Sequence, residues 1–362
     1  MVGQKLNDFY EQAANGTLPA VSYIIGPMEL SEHPPYAPRD GAWLQKKVVD
    51  AVTQGKGYNK TALIISYDET GGWGDHVVPY HSPSGTEGEW VQDPYDLVGY
   101  TYIGPGFRLP FYIISPWTRN GGVFTEHSDH NSQIMFIEQW LAAKGHSVTT
   151  PEMIPWRRQH MSNLVSAFDF ANPDYSLPNL PDAPAPHTTN GIYDGSVHCE
   201  SQYKETRPAV PYDNQISPNA VPSLSEDGFK PMRGALTEGR YIVFELNGFA
   251  LTNLGKPSTD FGATKATSTH SDVAQRWIVH VLEEGGNKFT ISSAKDGRYI
   301  GSHTGLIDSS SGAQTYTVAF EPSRGYALEK ENGKFVTIDG KGKVQISSEA
   351  SYFKAYSVTY YS

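Results

Sequence analysis

The sequence predicts an α/β domain with a parallel sheet, followed by an all-β domain, and three observations support this division. In residues 1–170, short apolar runs alternate with segments of helical periodicity, which is typical of a parallel sheet covered by helices. Residues 171–235 are rich in proline and lack sustained periodicity, so we expect a linker or an extended strap. Residues 236–362 contain many strand-like runs and a weak internal repeat.

The first domain is predicted to contain three strands and three helices. Apolar runs of strand length without a polar face predict strands at 20–25, 61–67 and 109–115. Apolar residues at helical spacing predict helices over 6–14, over 42–52 and from Ser132 onwards. Ser132 is the expected N-cap of the third helix because its hydroxyl can accept a hydrogen bond from a free backbone N–H.

The C-terminal domain has a repeat of about 39 residues. Gln275-Arg276-Trp277 is echoed 39 residues later by Gln314-Thr315-Tyr316, and the same step leads on to Phe353. A threefold repeat resembles a β-trefoil, in which three hairpin units close a common core. We therefore expect Trp277, Tyr316 and Phe353 to be core residues and not sugar-stacking platforms. A β-sandwich with chance similarity is the alternative.

Composition excludes several classes of partner. The chain has 39 acidic and 28 basic residues among 362, a net charge of −11, so neither a broad nucleic-acid-binding face nor attraction to anionic membranes is expected. No apolar run approaches the roughly 20 residues of a transmembrane helix. The first residues lack the apolar core of a signal peptide. Cys199 is the single cysteine and cannot form an internal disulfide.

Two adjacent carboxylates follow the second predicted strand. Asp68 and Glu69 come directly after it, and the Gly71-Gly72 pair leads on to Asp75 and His76. A turn at the strand end would let both carboxylates converge on one ion, and hard divalent cations prefer carboxylate oxygens. This pattern predicts metal-assisted attack at phosphorus. The alternative is an acidic loop containing an Asx turn.

Two further motifs flank this segment. Glu32-His33-Pro34-Pro35 lies upstream, and Glu126-His127-Ser128-Asp129-His130 lies downstream, before the third predicted helix. In this order the three segments resemble the phosphoesterase family of bacterial and fungal phospholipases C and acid phosphatases. The resemblance covers roughly residues 6–169 and favours the fungal-like branch.

The resemblance implies an alkaline-phosphatase-like fold, a divalent metal cofactor, a phosphate-ester or phospholipid substrate, and an extracellular or cell-wall location. It places Asp68 and Glu69 among the metal ligands and His33 at the substrate phosphate as a catalytic residue. Family members carry a Glu-Asn ligand motif and a Ser or Thr nucleophile further upstream. Neither is found in this sequence. We therefore expect an N-terminally incomplete catalytic domain and leave the nucleophile unassigned.

The remaining polar residues have two interpretations each. Asp75 and His76 are expected either to orient a metal ligand or to close the glycine loop by hydrogen bonding. His127 and His130 are expected either to line the cleft or to cap the following helix. Ser128 lacks the sequence context of a nucleophile.

The leading hypothesis is a metal-assisted phosphoric-ester hydrolase of the phospholipase C or acid phosphatase type. The alternative is a glycan- or cell-wall-binding C-terminal module attached to a truncated, catalytically silent phosphoesterase.

Overall fold

The structure is a computed structural model that describes residues 5–75, 77–119, 121–204, 206, 227–255, 261–283, 285–302 and 305–360. The chain divides into two compact units. The first unit comprises residues 1–81, 102–119 and 172–221, and the second comprises residues 82–101, 120–171 and 222–362. The domain boundaries expected at residues 170 and 235 stay predictions.

Five helices and twenty strands are formed by the described residues. The helices are α1 (Leu6–Asn15), α2 (Pro38–Thr53), α3 (His130–Ala143), α4 (Pro155–His160) and α5 (Gly195–Tyr203). The strands are β1 (Leu63–Ser66), β2 (Trp90–Gln92), β3 (Tyr100–Tyr102), β4 (Phe111–Ile114), β5 (Val123–Phe124), β6 (Thr188–Thr189), β7 (Ile192–Tyr193), β8 (Phe229–Arg233), β9 (Tyr241–Leu246), β10 (Phe249–Asn253), β11 (Phe261–Lys265), β12 (Trp277–Val281), β13 (Lys288–Ser293), β14 (Tyr299–Ile300), β15 (Leu306–Ile307), β16 (Tyr316–Glu321), β17 (Gly325–Lys330), β18 (Phe335–Ile338), β19 (Val344–Ser347) and β20 (Lys354–Val358).

The first unit has a small core between its helices and β1. Phe9 of α1 packs with Val48 and Val52 of α2 and with Tyr58, and Leu63 of β1 lies against this cluster. The helices predicted over 6–14 and 42–52 are confirmed, because the apolar spacing of both segments directs one face into this core.

The parallel sheet predicted for the N-terminal region is not found in the described part of the first unit. β1 pairs with β4 in antiparallel register, with Leu63 opposite Ile114 and Ser66 opposite Phe111. A parallel connection needs a crossover, usually a helix, and the described residues between β1 and β4 contain no helix. The strand predicted at 20–25 is also wrong, since these residues form no ladder.

The third predicted helix is present as α3, but Ser132 is not its N-cap. Asp129 is the N-cap, and its carboxylate accepts a hydrogen bond from the backbone N–H of Ser132 at 3.2 Å. The Ser132 hydroxyl in turn accepts one from the backbone N–H of Asp129 at 3.1 Å. This reciprocal pair places the N-cap three residues earlier than Ser132, and the helix begins at His130.

The proline-rich segment holds more secondary structure than a linker would. β6 and β7 form a short hairpin, and α5 follows directly. Asp194, just before α5, accepts hydrogen bonds from the Thr189 hydroxyl and the His187 ring, both at 2.6 Å. These bonds hold the pKa of the Asp194 carboxyl below its usual value. Residues 207–226 of the predicted linker lie outside the described residues.

A buried ion network joins three segments of the second unit. The Arg157 guanidinium of α4 donates to both carboxylate oxygens of Glu89, at 2.7 and 2.8 Å, and to Asp129 at 2.8 Å. Glu89 is 0% exposed. Because two carboxylates share one guanidinium in a largely buried place, removal of Arg157 would leave uncompensated buried charge.

Six strands of the second unit form a closed ring. The order is β9, β12, β13, β16, β17 and β20, and each neighbouring pair is antiparallel. The ring closes where Tyr326 of β17 and Phe353 exchange backbone hydrogen bonds of 2.9 and 2.8 Å. Gly325 (φ 110°) permits this approach, because a Cβ there would lie 2.3 Å from the Phe353 carbonyl oxygen.

Three hairpins accompany the ring, formed by β10 with β11, β14 with β15, and β18 with β19. The twelve strands from β9 to β20 therefore fall into three successive groups of four, namely β9–β12, β13–β16 and β17–β20. Trp277 and Tyr316 are the first residues of the fourth strand in their groups, and Phe353 directly precedes the fourth strand of the last. All three are buried in one core, so the expected burial of these aromatics is confirmed.

No helix among the described residues has both the length and the apolar character needed to cross a bilayer.

The first prediction concerns Trp277, which is 0% exposed and donates its indole N–H to the Leu251 carbonyl oxygen at 2.9 Å. Trp277→Ala should lower the free energy of unfolding of the second unit by about 3–5 kcal/mol, because it leaves a large cavity and an unpaired carbonyl. Denaturant unfolding of the full chain, followed by near-UV circular dichroism, measures this change.

The matched control is Tyr241→Ala, because Tyr241 is a ring-strand aromatic that is exposed. A Trp277 variant that unfolds at the same denaturant concentration as the control would show that the indole is not a core group.

Candidate functional site

Glu32 joins three segments of the first unit. Its carboxylate accepts a hydrogen bond from the Tyr67 hydroxyl at 2.8 Å and another from the Gln45 side-chain amide at 2.8 Å. Gly41 of α2 makes room for this carboxylate, since a Cβ there would lie 2.1 Å from Glu32 Cγ. These contacts fix the loop that carries His33 to α2 and to Tyr67, the residue directly before Asp68.

Burial and the hydrogen bond to Glu32 raise the pKa of the Tyr67 phenol well above its ordinary value. The phenol is therefore a donor to Glu32 up to a higher pH than an ordinary tyrosine would be. Glu32 itself has a left-handed backbone (φ 65°), which is costly for a residue other than glycine. The two side-chain hydrogen bonds offset this cost.

The structure brings His33 and Glu69 together. Nε2 of His33 lies 3.3 Å from Oε1 of Glu69, and Nδ1 lies 2.7 Å from the carbonyl oxygen of Pro34. Both ring nitrogens thus lie close to oxygen atoms of the protein. The His33 side chain is 65% exposed, so the ring is open to a ligand from solvent.

Asp68 and Glu69 sit where β1 turns into the glycine loop. Oδ1 of Asp68 accepts a hydrogen bond from the backbone N–H of Glu69 at 3.0 Å, and both residues are exposed. No group of three or more His, Cys, Asp or Glu side chains is arranged for a metal ion anywhere in the described ranges. The described side chains around Asp68 therefore do not form a complete metal site, which needs more ligands than they supply.

Asp75 forms an ion pair with Arg108. Both its carboxylate oxygens accept hydrogen bonds of 2.7 Å from the Arg108 guanidinium, and one also accepts the Arg108 backbone N–H at 3.2 Å. The pairing raises the pKa of the Arg108 guanidinium. Asp75 thus ties the glycine loop to the segment before β4. His76, the other predicted partner in this loop, lies outside the described residues.

His127 and His130 belong to the second unit. His130 is the first residue of α3, and the carbonyl oxygen of His127 accepts a hydrogen bond from the Ser162 backbone N–H at 2.7 Å. The capping role that the sequence suggested for this segment is carried by Asp129. The proposed place of both histidines in a cleft stays a prediction.

No nucleophile emerges beside His33 from the described residues. The Ser31 hydroxyl accepts the backbone N–H of His33 at 3.2 Å, so its role is local. In the second unit, His280 lies between the Ser292 hydroxyl at 2.8 Å and Glu238 at 3.1 Å. Ser292 is only 3% exposed, so this hydroxyl is closed to substrates.

Sequence reasoning missed Glu32 as an anchor, and it missed Tyr67, Gln45 and Arg108. Glu32 directly precedes His33, and Tyr67 directly precedes Asp68. This adjacency to predicted site residues is the feature of the sequence that could have indicated their role. Gln45 and Arg108 had no such feature, because their pairing depends on contacts 13 and 33 residues away in the chain.

Comparison with known families identifies the N-terminal part of the chain. Residues 1–142 match the model of the Phosphoesterase family. This range includes His33, Asp68, Glu69 and the loop that connects β1 to β4.

Several characterised proteins are similar to this chain. The non-hemolytic phospholipase C of Burkholderia pseudomallei is 40% identical over 306 residues, which cover 81% of this chain and 40% of that protein. The non-hemolytic phospholipase C of Pseudomonas aeruginosa is 34% identical over 71% of this chain and 37% of its own length. A plant protein, non-specific phospholipase C6 of Arabidopsis thaliana, is 32% identical over 33% of this chain and 24% of its own length.

The chain spans about two fifths of the length of the two bacterial relatives. The 306-residue alignment with the Burkholderia pseudomallei protein covers 81% of this chain, which is about 293 of its 362 residues. It therefore includes part of the β-rich region wherever it begins. The fungal-like branch stays a prediction. Residues 1–142 thus match the Phosphoesterase family, and the chain resembles phosphoric-ester hydrolases of the phospholipase C type.

Proposed function

We propose that this chain contributes to the active site of a phosphoric-ester hydrolase, of the phospholipase C type in preference to the acid phosphatase type. The observation that carries the proposal is the 3.3 Å contact between His33 and Glu69 within the family-matched residues. His33 would bind the phosphoryl oxygens or protonate the leaving alkoxide. Glu69 would orient the imidazole, since Oε1 of Glu69 lies 3.3 Å from Nε2 of His33.

We propose that Asp68 and Glu69 also contribute carboxylate ligands to a divalent cation. The support is the chemistry of the two side chains at the turn after β1. Further ligands would have to come from outside the described set, and the nucleophile remains unassigned. The ion, once bound, would polarise a phosphoryl oxygen.

The proposed substrate is a phospholipid, in line with the names of the relatives, and the proposed location is extracellular. We also propose that residues 236–362 form a β-trefoil. The six-stranded ring and the three hairpins support it. A glycan-binding module on a silent phosphoesterase is not favoured, because the three repeated aromatics are core residues.

The second prediction is that the purified 362-residue chain is a poor catalyst. Hydrolysis of p-nitrophenyl phosphorylcholine with added Mg²⁺, Ca²⁺ or Zn²⁺ should be roughly 10³-fold or more slower than with the full-length Burkholderia pseudomallei relative, because the described residues supply neither a complete ligand set nor an assigned nucleophile. A turnover rate within tenfold of that relative would contradict the prediction.

The third prediction tests His33 directly. His33→Ala should weaken the binding of inorganic phosphate by roughly 10- to 100-fold, because it removes a charge-assisted hydrogen bond of about 1.5–3 kcal/mol. Phosphate titration followed by 31P NMR measures the affinity. His146→Ala is the matched control, since His146 is also exposed but lies in the other unit. Equal phosphate affinity in the two variants would remove His33 from the site.

The fourth prediction concerns Glu32 as a positioning residue. Glu32→Gln should destabilise the first unit by about 1–3 kcal/mol, because the new NH2 group faces the Tyr67 and Gln45 donors. It should also shift the NMR signals of the His33 ring, since the loop loses its anchor. Glu11→Gln, an exposed change on α1, is the control. Unchanged His33 signals in Glu32→Gln would refute the positioning role.

A further inference from the structure

The turn between β2 and β3 exposes three large apolar side chains. Tyr95, Leu97 and Val98 are 80%, 82% and 70% exposed, and they lie within the seven-residue turn 93–99, here called the apolar tip. Large exposed hydrophobics concentrated in one short segment mark an interaction site more often than scattered ones do.

The backbone of the apolar tip is already hydrogen-bonded from within. The Asp93 carboxylate accepts the backbone N–H groups of Tyr95, Leu97 and Val98 at 3.0, 2.7 and 3.0 Å. The Asp93 N–H also donates to the Gly99 carbonyl oxygen at 2.8 Å. The acceptor of these N–H groups is an ionised carboxylate, so the backbone of the tip stays at the headgroup level and only side chains go deeper. The same bonds hold the tip in one shape, so little conformational entropy is lost on insertion.

Two aromatic residues stand at the base of the apolar tip. The rings of Trp90 and Tyr100 are 5.5 Å apart, and the Trp90 indole N–H donates to the Ser82 hydroxyl at 3.0 Å. Trp and Tyr favour the boundary between water and hydrocarbon because each has an apolar body and a polar end. Their place behind Leu97 and Val98 sets the expected depth of insertion.

The charges of residues 82–101 indicate which kind of membrane surface the apolar tip would bind. Residues 82–101 contain four acidic residues and no Lys or Arg. One of the four, Glu89, is paired internally with Arg157. Asp93 and Asp96 lie within the apolar tip itself, so their carboxylates stay at the headgroup level when Leu97 and Val98 insert. Binding to an anionic membrane needs basic residues, so this segment fits a zwitterionic surface instead.

We infer that the apolar tip inserts into the surface of a zwitterionic phospholipid bilayer such as phosphatidylcholine. Leu97 and Val98 enter the acyl region, Tyr95 lies beside them, and Trp90 and Tyr100 stay at the headgroup level. The inference deepens the proposed function, on which it rests for the reason why a bilayer would be present. Its own support is the geometry of residues 90–100.

The test is co-sedimentation of the full chain with phosphatidylcholine vesicles. The Leu97→Asp/Val98→Asp double variant should bind at least tenfold more weakly than the unmodified chain, and Tyr95→Ser should bind more weakly as well. Leu282→Asp is the matched control, because Leu282 is 54% exposed in another turn of the second unit. It should bind like the unmodified chain. Circular dichroism and thermal unfolding confirm that the exposed changes leave the fold intact.

Three results would overturn the inference. They are no binding of the unmodified chain to phosphatidylcholine vesicles, equal binding by the double variant, and tighter binding to phosphatidylglycerol than to phosphatidylcholine vesicles. Binding of inorganic phosphate by the unmodified chain and by its His33→Ala variant tests the proposed chemistry separately. Failure there leaves the vesicle result unaffected.

Discussion

A half-buried carboxylate needs hydrogen-bond donors, and the Glu32 carboxylate meets this need with Tyr67 and Gln45. The candidate site depends on this constraint. Glu32 precedes His33, and Tyr67 precedes Asp68, so the same two bonds that satisfy Glu32 bring the imidazole to the acidic turn. The Asp75–Arg108 ion pair then closes the loop on its other side. The site is therefore held by polar contacts between loops and not by a large core.

The second unit is stabilised differently. Its ring of six strands surrounds a continuous apolar core that includes Trp277, Tyr316 and Phe353. Backbone pairing at Tyr326 and Phe353 removes the open edge that a sheet would otherwise expose. The ion network around Arg157 adds little net stability, because the desolvation cost of the buried charges cancels much of their attraction.

The described residues bring the His33 imidazole and the Glu69 carboxylate together within the range that matches the Phosphoesterase family. The chain spans about two fifths of the length of its two bacterial relatives. The similarity also extends beyond residues 1–142, and part of the β-rich region is therefore shared with the Burkholderia pseudomallei relative.

The sequence by itself determined the motifs, the helices at 6–14 and 42–52, and the burial of the repeated aromatics, because each depends on local spacing and side-chain chemistry. Only the tertiary structure decided the antiparallel pairing of β1 with β4, the cap at Asp129 and the anchor at Glu32. Strand direction depends on the path of the intervening chain, and the partners of a carboxylate depend on contacts remote in sequence. Periodicity carries no information about either.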